Sequence, residues 1–274
     1  MALEMLFLGT GTSAGVPIIG CDCDVCRSSD PRDKRARPSV LIRYNDPQGS
    51  RRAILIDATA ELRAAAIAYR IDRLDGVAIT HAHADHIFGL DDLRRYNAIQ
   101  QSPIDLYTDQ LAYDSLSHMF RYIFEPHTNI NQTFIPQFLL RMIKPGASWD
   151  MYGARWTALP LLHGRLPILG FRVDIAGQSL AYCTDVSAIP PQTYPLLTDL
   201  DVLVIDALRY RHHPTHLTVD QALGEIEQIK PKQAFFTHIA HDIKHANLEA
   251  QLPECVALPY DGLTVTIRNG VVQV

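Results

Sequence analysis

Four potential metal ligands fall within six residues at His81-Ala82-His83-Ala84-Asp85-His86, directly after the apolar run Gly76-Val77-Ala78-Ile79-Thr80. No other stretch constrains the fold as tightly. A short apolar run reads as a buried strand, and a tight turn at its carboxyl end can aim alternate side chains at two different ions. Neutral imidazole and carboxylate suit zinc, manganese or iron. One loop can thus seed a dinuclear site, placed where sites of α/β sheets usually form.

The rest of the chain must supply a core around that loop. Its 274 residues suffice for one large globular domain or two small ones, and 47% apolar with 20% charged residues is the composition of a folded protein. The formal net charge of -5 argues against a broad nucleic-acid or anionic-membrane footprint. Five cysteines are too few for a disulfide scaffold, and three of them crowd together as Cys21, Cys23 and Cys26 while Cys183 and Cys255 stand alone. Crowded thiols point to metal. Glu4 sits where a signal peptide would want positive charge, and no run approaches the roughly 18 apolar residues of a membrane span. A cytoplasmic protein with no membrane partner is expected.

Strands are expected at Met5 to Leu8, Val40 to Tyr44, Ala53 to Ile56 and Val77 to Thr80. Helices are expected at Glu61 to Tyr69, capped by Thr59, and at Val219 to Ile229, capped by Thr218 and stopped by Pro231. Trp149 to Asp185 reads as antiparallel strands, with a Gly177-Gln178 turn dividing Phe171 to Ile175 from Leu180 to Cys183. Mixed sheets with helices outside follow. Leu55-Ile56-Asp57-Ala58 leading to Thr80-His81 resembles Val204-Ile205-Asp206-Ala207 leading to Thr237-His238. As copies, these would make two related halves packed as one unit, although Ile-Asp-Ala at a strand end also arises by chance.

His-x-His-x-Asp-His after a strand resembles the metallo-β-lactamase fold superfamily of hydrolases, over nearly the whole chain. The resemblance implies an α/β fold (α+β in some schemes), a four-layer αβ/βα sandwich of two mixed sheets with outer helices, in a single domain spanning 1–274. It also implies further ligands at His163, Asp185 and His238, each closing an apolar run. One divalent ion would then be held by His81, His83 and His163 and a second by Asp85, His86 and His238, with Asp185 bridging; Asp85 counts as catalytic as well as ligating. Asp57 looks like the superfamily's supporting carboxylate behind the ligands, or else a cap for the Thr59 helix. The ions would be manganese or zinc, with iron a third choice.

The cysteines make the resemblance more specific. Structural zinc takes four ligands, and the phosphoribosyl cyclic phosphodiesterases of the phosphonate-degradation pathway, which this chain resembles, use a His three residues after the last catalytic-metal His. Here that is His241, with Cys183 or Cys255 as competitors. A zinc on Cys21, Cys23, Cys26 and His241 would order the N-terminal loop, residues 10–38. The phrase Leu8-Gly9-Thr10-Gly11-Thr12-Ser13-Ala14-Gly15-Val16-Pro17 fits the same subgroup; Gly9 and Gly11 are expected to let backbone approach metal or phosphate. The subgroup also has a catalytic His that binds no metal, which His216 matches, though His212 or His213 could take its place. Arg209 and Arg211 would bind phosphate or be solvated, and His118, His127 and His245 receive no role.

The resemblance implies a dinuclear phosphodiesterase that opens a cyclic ribose phosphate or cyclic nucleotide, with hydroxide as nucleophile and His216 as proton donor. Its partner would be a small phosphorylated substrate; extended nucleic-acid binding is not expected. Three alternatives remain open at this point: a transfer-RNA 3′-processing ribonuclease, an iron-dependent protein like the B component of pyrroloquinoline quinone biosynthesis, and a non-catalytic module that binds a phosphorylated ligand. Residues 119–148, where the resemblance is thinnest, are expected to form a lid or a homodimer contact.

Overall fold

Alternation of apolar side chains along the strands sets the layers. In a computed structural model describing residues 2–130 and 132–274, the chain forms two mixed β-sheets. The first holds β1 (Leu3–Gly9), β2 (Ser39–Asn45), β3 (Arg51–Ile56), β4 (Gly76–Ala78), β5 (Ile104–Thr108) and β6 (Phe138–Met142) in sequence order. The second holds β7 (Ser148–Met151), β8 (Ala154–His163), β9 (Leu166–Ile175), β10 (Gln178–Cys183), β11 (Val202–Asp206), β12 (Gln233–Thr237) and β13 (Val256–Ala257). The chain then returns to the first sheet, where β14 (Thr264–Arg268) pairs with β1 and β15 (Val271–Gln273) forms the edge.

One parity of each strand faces the other sheet. Met5, Phe7, Val40, Ile42, Ile54 and Ile56 meet Trp156, Phe171, Tyr182, Val204 and Phe235 in the central core. The opposite parity faces helices. Leu6, Leu41, Leu55 and Val77 pack with α1 (Leu62–Ala68), α3 (Arg94–Gln100) and α4 (Gln110–Met119), beyond the short α2 (Ala84–Ile87). Leu203, Ile205 and Phe236 lie under α6 (Val219–Ile229) and α7 (His245–Glu249), while α5 (Arg121–Phe124) adds Ile123 to the first outer core. Because both faces of the strands are buried, truncating a fully buried residue such as Phe235 to Ala is expected to cost about 3–5 kcal/mol. This is the expected α/β four-layer sandwich.

The two sheets repeat one pattern. From β1 to β6 successive pairs run antiparallel, antiparallel, then parallel three times, and from β8 to β13 they do the same. The repeat therefore equates β3 with β10 and β4 with β11. This corrects the sequence pairing, which matched β3 to β11 and β4 to β12 and so lay one strand out of register. Asp57 after β3 and Asp185 after β10 share a left-handed backbone, with φ of 62° and 59°.

Local expectations differ in two places. Thr218 caps α6 through a full capping box with Gln221, but the Thr59 side chain does not cap α1; its carbonyl accepts from Leu62 while Glu61 occupies the cap position. The hairpin turn is Ala176-Gly177, with φ of 50° and 74°, and Gln178 already belongs to β10. Residues 119–148 supply edge strand β6 and bury Phe120 and Ile123, whereas Leu139, Leu140 and Met142 are exposed. Among the described residues no helix is long and apolar enough to cross a membrane.

Candidate metal centres

Carboxyl ends of parallel strands gather side chains into a crevice. His81, His83, Asp85 and His86 occupy the loop after β4 and the start of α2; His163 ends β8, Asp185 follows β10 and His238 follows β12. Donor atoms of His81, His83 and His163 lie within 4.8 Å of one another, as do those of Asp85, His86, Asp185 and His238. Asp185 also reaches a third set with His163 and His216, so it stands between the two clusters. The His86 Nε2 is 3.2 Å from Asp185 Oδ2 and the His238 Nε2 is 3.1 Å from Asp185 Oδ1.

Neighbouring groups fix how the ligand rings face. Asp57 accepts from His86 Nδ1 at 2.7 Å and from the Thr80 amide and hydroxyl. It is fully buried and does not cap a helix, so the supporting-carboxylate alternative fits its position. The Thr215 carbonyl accepts from His163 Nδ1 at 2.7 Å, Thr80 Oγ1 lies 3.0 Å from His81 Nδ1, and the Thr184 hydroxyl donates to Asp185 at 2.6 Å. With Nδ1 engaged, Nε2 is the nitrogen left to face the cluster.

The donor set fits divalent cations. The Nε2 atoms of His81, His86 and His238 are buried and have no hydrogen-bond partner, a costly state for an interior polar group. Burial opposes charge on His86 and His238, but the Asp185 carboxylate outweighs it and holds both above the ordinary imidazole range, His238 at about 10. Burial likewise opposes charge on Asp185, yet His238 and His86 hold it well below the usual carboxylate range. The Asp185 side of the pocket thus stabilises positive charge, while burial holds His81, His83 and His163 below the ordinary imidazole range, in the neutral form that ligates metal.

His216 lies beside this cluster, its ring stacked on His238 at 4.4 Å and 4.6 Å from that of His163. Its Nδ1 is 2.6 Å from Asp206 Oδ2, at the end of β11. Burial pushes the His216 imidazole down and the Asp206 carboxyl up, so both groups are driven toward their neutral forms. Sequence reasoning missed Asp206 in this role, although its Ile-Asp-Ala context matches that of Asp57. His213 contacts the His216 ring edge at 5.0 Å and His212 is exposed. Arg209 holds the Arg211 and His212 carbonyls, and Arg211 pairs with Asp242.

A second donor set forms across 220 residues of sequence. Cys21 Sγ, Cys23 Sγ and Cys26 Sγ lie 3.3, 3.4 and 3.6 Å from His241 Nδ1. Four soft and imidazole donors converging on one point suit tetrahedral zinc. The competitors lie elsewhere: Cys183 is buried in the core under α6, and Cys255 is exposed. The Cys26 amide draws the Cys23 thiol down to about 6, while burial pushes Cys26 up to about 11.

The fold leaves no room for a side chain at Gly9 or Gly11. A Cβ at Gly9 would lie 1.9 Å from the Arg37 carbonyl oxygen, and one at Gly11 would meet Arg35 at 2.8 Å. Gly11 also bridges to Ile239, so the N-terminal loop abuts the residue after His238. Buried Arg35 braces this junction, donating to Thr10 Oγ1 and the Pro259 carbonyl at 2.7 Å and to His245 Nδ1 at 3.1 Å. His245 thus gains a structural role that its sequence context did not suggest. A cavity of about 210 Å³ adjoins His81 and His83, lined also by Asp109, Ser115, Leu166 and Pro167.

Comparison with known proteins concerns the fold as a whole. Residues 52–239 match the family model described as β-lactamase superfamily domain. The crystal structure of a diphosphatase from the PhnP family superposes with a TM-score of 0.87 at 39% identity, covering 97% of this chain and 98% of that one. An octanoyltransferase of Porphyromonas gingivalis is 36% identical over 270 residues, which is 97% of this chain but 52% of that protein. A ribonuclease Z of Mycobacterium avium is 28% identical over 198 residues, 67% of this chain and 62% of that protein. The chain thus spans between about half and three fifths of the length of these curated relatives.

Proposed function

The chain belongs to the β-lactamase superfamily, and from that premise we propose that it is a metal-dependent hydrolase that opens a cyclic phosphodiester, a cyclic ribose phosphate or cyclic nucleotide, to a monoester. His81, His83 and His163 would hold one divalent ion and Asp85, His86 and His238 the other, with Asp185 between them. Manganese, zinc and iron all suit these donors. When bound, two such ions lower the pKa of water toward neutrality and act as Lewis acids toward a phosphoryl group. Cys21, Cys23, Cys26 and His241 would hold a structural zinc, and the clustered free thiols suit the reducing cytoplasm.

The observation that carries this reading is the His216–Asp206 pair beside the donor cluster. A sugar alkoxide is a strong base, so its departure needs a proton at the departing oxygen. Asp206 orients the His216 ring through Nδ1, so that Nε2 would face the departing oxygen and pass it a proton. Asp57 and the Thr215 carbonyl meanwhile hold His86 and His163 with Nε2 inward. A phosphate leaving group needs no such donor. Diphosphate cleavage is the second reading, favoured by the 39% identical diphosphatase.

The test is a substrate panel followed by phosphorus NMR with metal-loaded protein: a cyclic ribose phosphate, a cyclic nucleotide, a dinucleoside diphosphate and a transfer-RNA precursor. The proposal expects the cyclic esters to open to monoesters. Conversion of the diphosphate alone supports the second reading, and cleavage of the RNA alone supports a processing ribonuclease like the mycobacterial relatives. Binding of metal and phosphate without turnover of any of them would leave a ligand-binding module.

A further inference from the structure

A cavity of about 710 Å³ opens at the end of the first sheet away from the metal centres. Its walls come from the amino ends of parallel strands: Arg51 and Arg52 begin β3, Asp75 precedes β4, and Ser102 and Pro103 precede β5. The lining is basic in an otherwise acidic chain. Arg52 pairs with Asp46 and Asp75 at 2.7 and 2.9 Å, and Arg73 pairs with Asp75 at 2.6 Å. Asp75 also accepts from the Ala53 amide.

That pairing occupies Asp75; Glu4, opposite Arg43 across the strand pair, and Asp72 in the lining lie near the remaining arginines without an ion pair to them. Among the described residues, the guanidinium groups of Arg43 and Arg51 have no hydrogen-bond or ion-pair partner. Both belong to the same face of the β2–β3 pair, since Arg43 stands opposite Ala53, two residues from Arg51. Burial lowers the Arg43 pKa and the neighbouring Arg51 charge lowers it further, with Glu4 and Asp72 offsetting this in part. Arg43 is half-buried and Arg51 exposed, and two like charges on one face repel until an anion joins them. The same two arginines also line an adjoining cavity of about 370 Å³. Ile71, Ile99 and Leu139 add apolar surface to the lining, and the Arg52 guanidinium lies over the Tyr152 ring, 4.4 Å from its centroid.

We propose that this cavity is a second ligand site, which takes a phosphomonoester with a planar or apolar body: the phosphate on Arg43 and Arg51, the body against Ile71 and Ile99. The volume suits a mononucleotide-sized molecule.

The test is calorimetric titration of AMP and of inorganic phosphate into the metal-loaded full chain. Wild type is compared with Arg43→Met/Arg51→Met, with the single surface variant Arg51→Glu, and with His83→Ala. AMP is expected to bind wild type in two components: one at the metal centres, weakened in His83→Ala, and one that persists in His83→Ala and falls about 10- to 100-fold in both arginine variants. Hydrolysis of bis-p-nitrophenyl phosphate should be unchanged in the arginine variants. Equal AMP affinity in wild type and Arg51→Glu, or loss of AMP binding only in His83→Ala, would place the nucleotide at the metal centres and overturn the proposal. So would inorganic phosphate binding as tightly as AMP, because the apolar wall would then contribute nothing.

Discussion

His216 Nδ1 lies 2.6 Å from Asp206 Oδ2, while the same imidazole stacks on His238 at 4.4 Å. A hydrogen-bonded carboxylate behind an imidazole that faces a donor cluster is the arrangement of an oriented proton donor. His216→Ala is therefore expected to slow opening of a cyclic ribose ester by about 10² to 10⁴-fold, with metal content unchanged. The same variant should slow bis-p-nitrophenyl phosphate far less, because nitrophenolate leaves without a proton. Equal losses on both substrates would contradict the assignment, and loss of metal would make His216 a ligand.

Asp57 acts at one remove from the cluster, through His86 Nδ1. Asp57→Asn preserves size but removes the charge that favours the Nδ1 proton. Metal affinity is expected to fall about 10- to 100-fold, read by competition with a chromophoric chelator. An unchanged affinity would reduce Asp57 to a bond partner of Thr80.

The N-terminal loop has only a small apolar cluster of its own, centred on Val16, Val25 and Cys26. Structural zinc is worth on the order of 10 kcal/mol in small metal-folded units, so Cys23→Ser is expected to lose the chelator-resistant zinc and lower the melting temperature. Because the loop bridges to Ile239, activity should fall as well. A variant that keeps its zinc and its melting temperature would show that these donors do not act together.

His245 is buried and accepts from Arg35. Burial, then the Arg35 and Arg32 charges, press its pKa down to about 4, against about 6.5 in an unfolded chain. Between those values the unfolded state binds more protons, so stability from this group is present above about pH 6.5 and is lost as pH falls toward 4. The loss amounts to roughly 3 kcal/mol at most. Urea unfolding of wild type and His245→Gln at about pH 7.5 and about pH 5 isolates it: the wild type should lose more. Parallel losses would contradict the role.

What was legible in the sequence was local or periodic. His81 to His86 stand together in one loop, so their pattern survives without the fold, and period-2 apolar runs announced the strands that carry it. Their chain order after apolar runs, together with the resemblance, also pointed to His163, Asp185 and His238, all of which converge. Relations made only by folding stayed hidden. Asp206 and His216 meet across a loop, Arg35 and His245 meet across 210 residues, and Arg43 and Arg51 share a face only once β2 and β3 pair. Gly9 and Gly11 signalled a close approach, but only the fold shows that the segment from Arg35 to Arg37 is what comes close.

The account rests on two separate metal centres, and elemental analysis of the metal-loaded chain addresses both at once. It predicts three ions per chain, two of them removed by mild chelation together with activity, and one a zinc that stays. A single removable ion, or a zinc that leaves with the others, would contradict it.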